Sequence, residues 1–469
     1  MKLFCDCEKY KIYNGSMLDM LEVIEQNSID SIVCDPPYEL GFMGEKWDSS
    51  SIAFQPKTWE KCLKVLKPGG YLLAFGGSRT FHRIACAIED AGFEIRDTIM
   101  WLYGSGFPKS YNIAKAISAY ERTGGSSPKN LRKDRQGDDY KPTGQKDYRK
   151  GRAFSSEIKN DNKKTELTDN AKQWQGWGTT LKPAYEPIIV ARKPFKTSII
   201  ENIMKYGVGG INIDECRIGE TGGVKKINIE PNSGSKNSGF GCNGQLEELN
   251  DGRFPANVIH DGSEEVISGF PETKSTYEEP NNKHSFKGNK DAFQYGYKMR
   301  YGSGFNDSGS ASRYFYTAKT SKKDREEGLE ALPEGLLRRM RPDKDDNNPT
   351  GLNKEARFAP VVRKNFHPTV KPTELMQYLI RLVSPKGATI LDPFMGSGST
   401  GKAAMFENRE RDANYKFIGI DLEKEYCEIA QARIDYALNK YEYDYQQELK
   451  KAEEQGQISF DLFGDVNAN

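Results

Sequence analysis

The sequence lacks long apolar runs. No stretch approaches the roughly 18–20 apolar residues that a membrane-spanning helix needs, and the mean hydropathy is −0.74. The first residues, MKLFCDCEKYKIYNG, contain no apolar segment like that of a secretory signal. These absences argue against a membrane protein or a secreted protein, and we expect the chain to be cytoplasmic.

Paired cysteines and a strong net charge are lacking as well. The eight cysteines are scattered, and only Cys5 and Cys7 lie close together in sequence. A single C-x-C pair is not the ligand pattern of a zinc site, so we predict free thiols and no metal. Because the net charge is only +1, any nucleic-acid surface must come from local segregation of charge.

The segment SIVCDPPY combines a buried strand with a rigid polar end. Ser31–Cys34 predicts a short strand, and Asp35–Tyr38 would follow at its C-terminal end, where open α/β sheets bind ligands. The two consecutive prolines remove two backbone donors and fix φ near about −65°, so this loop is stiff. We call Asp35–Tyr38 the ledge, because it would present one carboxylate, free carbonyl oxygens and one aromatic ring.

The ledge has the groups needed to hold an amino group and the ring that bears it. An amino nitrogen conjugated into a base is a poor nucleophile. The Asp35 carboxylate and the Pro36 carbonyl could accept its hydrogens and free its lone pair, while Pro37 stiffens the turn. Tyr38 could stack on the base, as side chains do on flipped-out bases. A surface turn capped by Asp35 is the alternative.

The chain around the ledge alternates between strand and helix patterns. KIYNGSMLDMLEVIEQNSID predicts a strand, a turn and an amphipathic helix. Lys57–Lys67 has apolar residues at helical spacing and ends at KPGG, the strand YLLAF follows, and Phe81–Ile88 repeats the helical spacing. GFEIRDTIMWLY and YEPIIVARKP would pair as a hairpin if the residues between them form an insertion. This repetition predicts a doubly wound α/β sheet.

A glycine-rich turn follows another buried strand near the C-terminus. The strand ATILD would end at Asp392, and FMGSGST would lead into a helix. Gly396 and Gly398 allow positive φ and close approach of a ligand. The next strand, FIGID, ends at Asp421, the carboxylate expected on ribose hydroxyls in a dinucleotide-like site. A P-loop is excluded because G-x-x-x-x-G-K-[ST] is absent, and a Rossmann NAD site would need a third glycine.

Together these segments resemble the amino-group DNA methyltransferases that use S-adenosylmethionine. DPPY resembles their catalytic motif, DPFMGSGS resembles their cofactor motif, and HPTVKP resembles their HPTxKP segment. The order, with the catalytic motif first and the cofactor motif last, is that of their permuted β group. The resemblance covers roughly residues 10–110, 181–195 and 365–435.

The resemblance implies an α/β fold, a Rossmann-like, doubly wound mixed sheet assembled from the N- and C-terminal thirds. It also implies a large inserted target-recognition region, S-adenosylmethionine as cofactor, no metal, and catalysis by the ledge. One departure is Ser16, where the family usually has an acidic residue near the cofactor's adenine; Asp19 or a backbone group could take that place. The implied cofactor-binding residues are His367, Thr369, Lys371, Asp392, Pro393, Phe394, Gly396, Ser397, Gly398, Ser399 and Asp421.

The predicted organisation has six segments. Arg132–Arg152, within the second, is basic and nearly free of aliphatic residues, which indicates either a clamp for phosphate backbone or a solvated loop. The segments are 10–110 (catalytic half), 111–180 (basic flexible insertion), 181–195 (returning strand), 196–364 (target-recognition region), 365–445 (cofactor half) and 446–469 (C-terminal tail).

The tail contains QISFDLFGD. Its Gln457, Phe460, Leu462 and Phe463 fit the peptide type by which bacterial replication proteins bind the sliding clamp. A glutamine that bonds backbone, with a Leu-Phe pair that fills an apolar pocket, is an ordinary anchor. The alternative is a tail that folds back onto its own domain.

The predicted activity is transfer of a methyl group to the N6 amino group of adenine in double-stranded DNA, by base flipping. N4-cytosine methylation is the close alternative, although the motif of cytosine enzymes more often begins with Ser than with Asp35. From a different class, the chain could be a catalytically silent DNA-binding module, for which Ser16 is the only hint. The residues indicate neither the recognition sequence nor a restriction partner, and a homodimer stays open.

Overall fold

The computed structural model describes residues 2–40, 48, 50–106, 110–122, 166–219, 224–226, 246–248, 252–274, 308–318, 321–332, 335–337 and 361–440. Short 3₁₀ turns cover Ile52–Phe54, Asp214–Cys216 and Ala311–Tyr314. The helices are α1 Met17–Met20, α2 Pro56–Val65, α3 Phe81–Asp90, α4 Ile113–Arg122, α5 Asp169–Lys172, α6 Ile199–Tyr206, α7 Glu264–Ile267, α8 Lys322–Glu326, α9 Thr373–Val383, α10 Ser399–Arg411 and α11 Lys424–Leu438.

The strands are β1 Lys2–Asp6, β2 Tyr10–Asn14, β3 Ile29–Cys34, β4 Leu66–Phe75, β5 Glu94–Leu102, β6 Tyr185–Arg192, β7 Val224–Lys226, β8 Leu246–Glu248, β9 Val258–His260, β10 Glu272–Lys274, β11 Ser308–Ser310, β12 Tyr316–Thr317, β13 Gly335–Leu337, β14 Val361–Arg363, β15 Thr389–Asp392 and β16 Lys416–Asp421. Three two-stranded sheets pair β7 with β8, β10 with β11 and β13 with β14.

The main sheet has ten strands in the order β1-β2-β16-β15-β3-β4-β6-β5-β9-β12. β1 runs antiparallel to β2, and β6 runs antiparallel to both of its neighbours. The remaining neighbours are parallel. The predicted mixed, doubly wound sheet is therefore confirmed, and β3 from the N-terminal part pairs directly with β15 from the C-terminal part, Ser31 opposite Ile390.

Helices cover both faces of this sheet. Successive strand residues point to opposite faces, and Val33 belongs to the apolar cluster with Leu375 of α9 and Ile434 of α11. Its neighbour Ile32 belongs to the opposite cluster with Trp59 of α2. Burial on both faces explains why the central strands are continuous apolar runs instead of alternating ones.

The helix predicted over Lys57–Lys67 is present as α2, but it ends at Val65. Leu66, which the periodicity places on the helix, is the first residue of β4, with φ −72° and ψ 139°. Pro68 prevents the helix from including Lys67, because the residue before a proline avoids helical geometry. KPGG is therefore part of the strand β4. Separately, the amphipathic helix predicted after the first strand is only the four residues of α1 in the structure.

The pairing predicted for the strands that flank the insertion is confirmed. β5 and β6 are antiparallel neighbours, with Trp101 opposite Glu186. Beyond β5 the sheet continues with β9 and β12, both from residues 196–364. Part of residues 196–364, which the sequence predicts as the target-recognition region, therefore extends the main sheet itself.

Two sequence predictions lie outside the described residues. These are the basic stretch Arg132–Arg152 and the tail peptide with Gln457, Phe460, Leu462 and Phe463. In the described ranges, no helix is long and apolar enough to cross a membrane. The same ranges hold no group of three or more His, Cys, Asp or Glu side chains arranged to bind a metal ion.

Candidate active site

The ledge and the glycine-rich turn lie side by side. The ledge follows β3 and the turn follows β15, and these two strands are parallel neighbours. The chain runs from β3 to β4 on one side of this pair and from β15 to β16 on the other side. The two loops therefore flank the point where the strand order reverses. Open α/β sheets bind their ligands at such a point. A hydrogen bond of 3.3 Å from Thr400 Oγ1 to Val33 O ties the two strand ends together.

Lys371 connects the two loops. Its Nζ donates to Asp35 Oδ2 at 2.6 Å and to the Tyr38 hydroxyl at 3.2 Å. The same ammonium lies 3.3 Å from Glu186 Oε2, and the Lys371 carbonyl accepts from Ser399 Oγ at 3.0 Å. Burial alone would lower the pKa of Lys371, but the charges of Asp35 and Glu186 raise it above its ordinary value. The side chain is therefore a buried cation between two carboxylates.

Tyr38 is fixed at both of its ends. Its hydroxyl donates to Glu186 Oε2 at 3.0 Å, and its backbone carbonyl accepts from Thr80 Oγ1 at 2.9 Å. Gly77 leaves room for the ring, since a Cβ there would lie 3.1 Å from Tyr38 Cδ2. Burial, together with the charges of Asp35 and Glu186, raises the pKa of Tyr38 well above its ordinary value. The ring is held in place and the hydroxyl stays neutral.

Asp35 has one oxygen in use and one without a donor. Oδ2 accepts from Lys371, whereas Oδ1 is buried and accepts no hydrogen bond within the described part of the chain. Pro36 and Pro37, both buried, have no N–H to offer it. Leaving a buried acceptor unsatisfied is costly, so this oxygen marks a place where a donor from a ligand can bind.

Glu186 was not found by sequence reasoning. It is the second residue of β6, and because β6 is antiparallel, it lies at the edge where the parallel strands end. A signal was available: Glu186 is the only charged residue before Arg192 in the strand YEPIIVAR. A lone carboxylate at the start of an antiparallel strand could have been assigned to the active-site edge.

The glycine-rich turn is tightly packed by the protein itself. Gly396 and Gly398 have φ of +52° and +74°, the left-handed region that glycine tolerates. A Cβ on Gly396 would lie 2.8 Å from His367 Nε2, and one on Gly398 would lie 2.8 Å from Ala430 Cα. The sequence attributed these glycines to the approach of a ligand, and the structure adds that protein atoms already fill the space of a side chain.

Two carboxylates shape this turn, the buried Asp392 and the half-buried Asp421. Asp392 accepts from Phe394 N at 3.0 Å and from Thr400 Oγ1 at 2.6 Å. Asp421 accepts from Gly396 N at 2.8 Å and from Glu423 N at 2.9 Å. Burial raises the pKa of each carboxyl group to about 7, although these hydrogen bonds oppose the shift. Both acids, at the ends of β15 and β16, are thus bound to backbone amides of the turns that follow them.

The HPTVKP segment lies against the turn. His367 Nδ1 contacts the carbonyl of Thr369, and the His367 ring stands edge-on to Tyr426 with centroids 4.5 Å apart. Burial lowers the pKa of His367 to about 4, so the imidazole is neutral. Pro393 is buried in the turn, and the Phe394 ring lies 6.1 Å from that of Trp59.

Buried charges support the turn from behind. Arg433 of α11 donates through Nη1 to Ser397 O at 2.6 Å, to Ser397 Oγ at 3.1 Å and to Ser399 Oγ at 3.2 Å. Arg433 and Lys402 are fully buried. Asp324 of α8 faces both, with Lys402 Nζ at 2.7 Å and Arg433 Nη2 at 3.8 Å from its Oδ1. Sequence reasoning missed this support, because its members come from three separate helices.

Comparison with known proteins gives a family match over most of the chain. The N6/N4 methyltransferase family model, described as DNA methylase, matches residues 29–432. The chain is 24% identical over 246 residues to the type II methyltransferase M.HindIII of Haemophilus influenzae, which is 43% of this chain and 64% of that relative. It is 46% identical over 69 residues to the type II methyltransferase M2.DpnII of Streptococcus pneumoniae, which is 15% of this chain and 24% of that relative.

These curated relatives are therefore matched over less than two thirds of their own length. Among solved structures, a complex of M1.HpyAVI with SAM aligns at a TM-score of 0.35 and 14% identity, covering 91% of this chain and 98% of that one. The PvuII DNA methyltransferase (cytosine-N4-specific) aligns at a TM-score of 0.37 and 11% identity, covering 92% and 94%.

Proposed function

Because the chain belongs to the N6/N4 DNA methylase family, we propose that it is a site-specific methyltransferase of double-stranded DNA. It transfers a methyl group from S-adenosylmethionine to the N6 amino group of adenine. The observation that carries this proposal is the Asp35 carboxylate, with Oδ2 held by Lys371 and Oδ1 buried without a donor among the described residues. Asp35 directly follows β3, and the neighbouring strand β15 leads into the glycine-rich turn.

The ledge binds and activates the amino group. Asp35 Oδ1 and the Pro36 carbonyl accept its two hydrogens, which draws the nitrogen out of conjugation with the ring and makes its lone pair available. Acceptors that are fixed before the substrate arrives need no reorganisation during the reaction. Tyr38 stacks on the base, and its hydrogen bonds to Glu186 and from Lys371 keep the ring in place. The base reaches this site by leaving the duplex.

The turn after β15 fits S-adenosylmethionine. Gly396 and Gly398 hold the turn before α10 in the left-handed conformation, packed on His367 and Ala430, and a glycine turn of this kind lets a ligand approach the backbone closely. Phe394 borders this turn, and the half-buried Asp421 offers its carboxylate to the ribose hydroxyls. When bound, S-adenosylmethionine supplies an electrophilic methyl group on its sulfonium. We assign to the cofactor the same binding residues that the resemblance implies, with the exception of the Lys371 side chain. The Lys371 ammonium is directed to Asp35, and only the Lys371 backbone carbonyl contacts Ser399.

Adenine is preferred over cytosine because the ledge begins with Asp35 where the resembling cytosine enzymes more often have Ser. The test is mass spectrometry of nucleosides from unmethylated DNA incubated with the protein and S-adenosylmethionine, with an Asp35→Ala protein as control. We expect N6-methyladenine. N4-methylcytosine would overturn the choice of base, and no methylated base from a protein that binds S-adenosylmethionine would overturn the activity.

Residues 196–364 are proposed to read the target sequence, because base readout needs surface beyond the catalytic ledge. The basic stretch Arg132–Arg152 is proposed to bind phosphate backbone. Binding of a sliding clamp through Gln457, Phe460, Leu462 and Phe463 stays a prediction from the sequence, as does a homodimer.

A further inference from the structure

Lys371 has two carboxylates within reach. Its Nζ lies 2.6 Å from Asp35 Oδ2 and 3.3 Å from Glu186 Oε2. Its side chain is only 8% exposed, and it is enclosed by two aromatic rings, with Nζ 4.8 Å from the centroid of Phe75 and 5.3 Å from that of Tyr38. One ammonium between two carboxylates leaves this cluster with one net negative charge.

The ion pair with Lys371 opposes the role of Asp35. The negative charge of the Asp35 carboxylate attracts the amino hydrogens of a base, and an ammonium 2.6 Å from that carboxylate weakens the attraction. The ammonium of Lys371 cannot leave Asp35 for the solvent, because the Lys371 side chain is buried and enclosed. It needs a second acceptor close by, and Glu186 on β6 is in that position.

We propose that Glu186 is a positioning residue that takes Lys371 from Asp35 when the target base enters. The Asp35 carboxylate then interacts with the amino group alone, while the Lys371 ammonium stays paired with the Glu186 carboxylate. The net negative charge of the cluster also favours the positive charge that builds on the amino nitrogen as it is alkylated. This inference rests on the proposed function, and it makes Lys371 a residue that changes partners during each turnover.

The simplest alternative is that Glu186 only orients Tyr38, since the Tyr38 hydroxyl donates to it at 3.0 Å. The two roles differ in what they require. Orientation of Tyr38 needs an acceptor at position 186, which a glutamine also provides. Exchange of Lys371 needs a negative charge there, which only an acid provides.

The test is Glu186→Gln, which keeps the size of the side chain and an acceptor for Tyr38 but removes the charge. We expect the single-turnover rate of methyl transfer to fall about 10- to 100-fold, with Kd for S-adenosylmethionine and for DNA unchanged within about twofold. Glu186→Asp should recover part of the rate. The matched control is Glu94→Gln, which breaks a 2.7 Å ion pair with Arg192 at the opposite end of β6 and should leave the rate unchanged.

A second background separates the two roles of Glu186. With Lys371→Met in place, Glu186→Gln should have no further effect, because Glu186 acts through Lys371. A Glu186→Gln variant at the wild-type rate, or an equal loss in both backgrounds, would overturn the inference alone. A wild-type protein that methylates no DNA would instead overturn the proposed function, and the inference with it.

Discussion

An Asp-Pro dipeptide stands at the C-terminal end of each of two neighbouring parallel strands, β3 and β15, but the two aspartates differ in their hydrogen bonds. After β15, Asp392 has both carboxylate oxygens satisfied, by Phe394 N and by the Thr400 hydroxyl. After β3, Asp35 has one oxygen paired with Lys371 and the other buried without a donor from the described residues. One carboxylate builds the loop that follows it, and the other remains available for a ligand.

The residue two positions later accounts for the difference. An aspartate commonly accepts a hydrogen bond from the backbone N–H two residues on, and Asp392 does so from Phe394. At the corresponding position after Asp35 stands Pro37, which has no N–H. The second proline of DPPY therefore does more than stiffen the ledge, because it withholds the donor that would otherwise satisfy the Asp35 carboxylate.

The largest expected effect separates the two aspartates. Asp35→Ala should abolish methylation, a loss of at least about 1000-fold, while binding of S-adenosylmethionine changes little. Asp392→Ala should instead weaken cofactor binding and lower the free energy of unfolding, because Phe394 N and Thr400 lose their acceptor. Single-turnover rates, calorimetric titration and urea unfolding measure the three quantities. An active Asp35→Ala protein would contradict the comparison and the proposed activity.

The buried support of the turn predicts a large loss of stability. Arg433→Met removes the donors to Ser397 and Ser399 and leaves Asp324 with one cation fewer. Breaking a buried ion pair in this way costs about 3–5 kcal/mol, measurable by urea unfolding. The control is Lys424→Met on the same helix, whose exposed pair with Glu428 should contribute less than about 1 kcal/mol. Equal losses for the two variants would mean that the turn does not depend on its buried support.

A moderate effect tests the role of the second proline directly. Pro37→Ala restores an N–H two residues after Asp35, and a hydrogen bond from it to Oδ1 would compete with the amino group of the base. We expect the single-turnover rate to fall about tenfold, the size of one hydrogen bond to a charged group. Pro36→Ala is the control, because it relaxes the unfolded chain similarly without placing a donor at that position. If both variants lose activity equally, rigidity alone explains the prolines.

Much of this comparison could be predicted from sequence, because each loop is a local feature: a buried strand, an Asp-Pro step and a turn. What could not be predicted depends on side chains brought together over long separations in the chain. Lys371 was expected beside the cofactor, yet its ammonium pairs with Asp35, 336 positions away. Glu186 and Arg433 were missed for the same reason. Local preferences do not specify which distant charge a buried side chain will meet.

The smallest expected effect is a dependence of stability on pH that Asp392 causes. Burial raises the pKa of Asp392 from 3.8 to about 7, so the folded protein binds a proton that the unfolded chain has already released. Its contribution to stability is complete below about pH 4 and is lost as the pH rises through about 7. Relative to Asp392→Asn, the wild type should therefore gain about 1 kcal/mol in the free energy of unfolding between pH 8 and pH 6.

Asparagine suits this test, because its Oδ1 still accepts from Phe394 N. Its Nδ2 can donate to the Thr400 hydroxyl, which can turn to the Val33 carbonyl 3.3 Å away. Asp421 has its pKa raised in the same direction, but it is present in both proteins and cancels in the difference. A difference that stays flat between pH 8 and pH 6, or that falls, would show that Asp392 takes up no proton between these pH values. The comparison of the two Asp-Pro carboxylates would then rest on their hydrogen bonds alone.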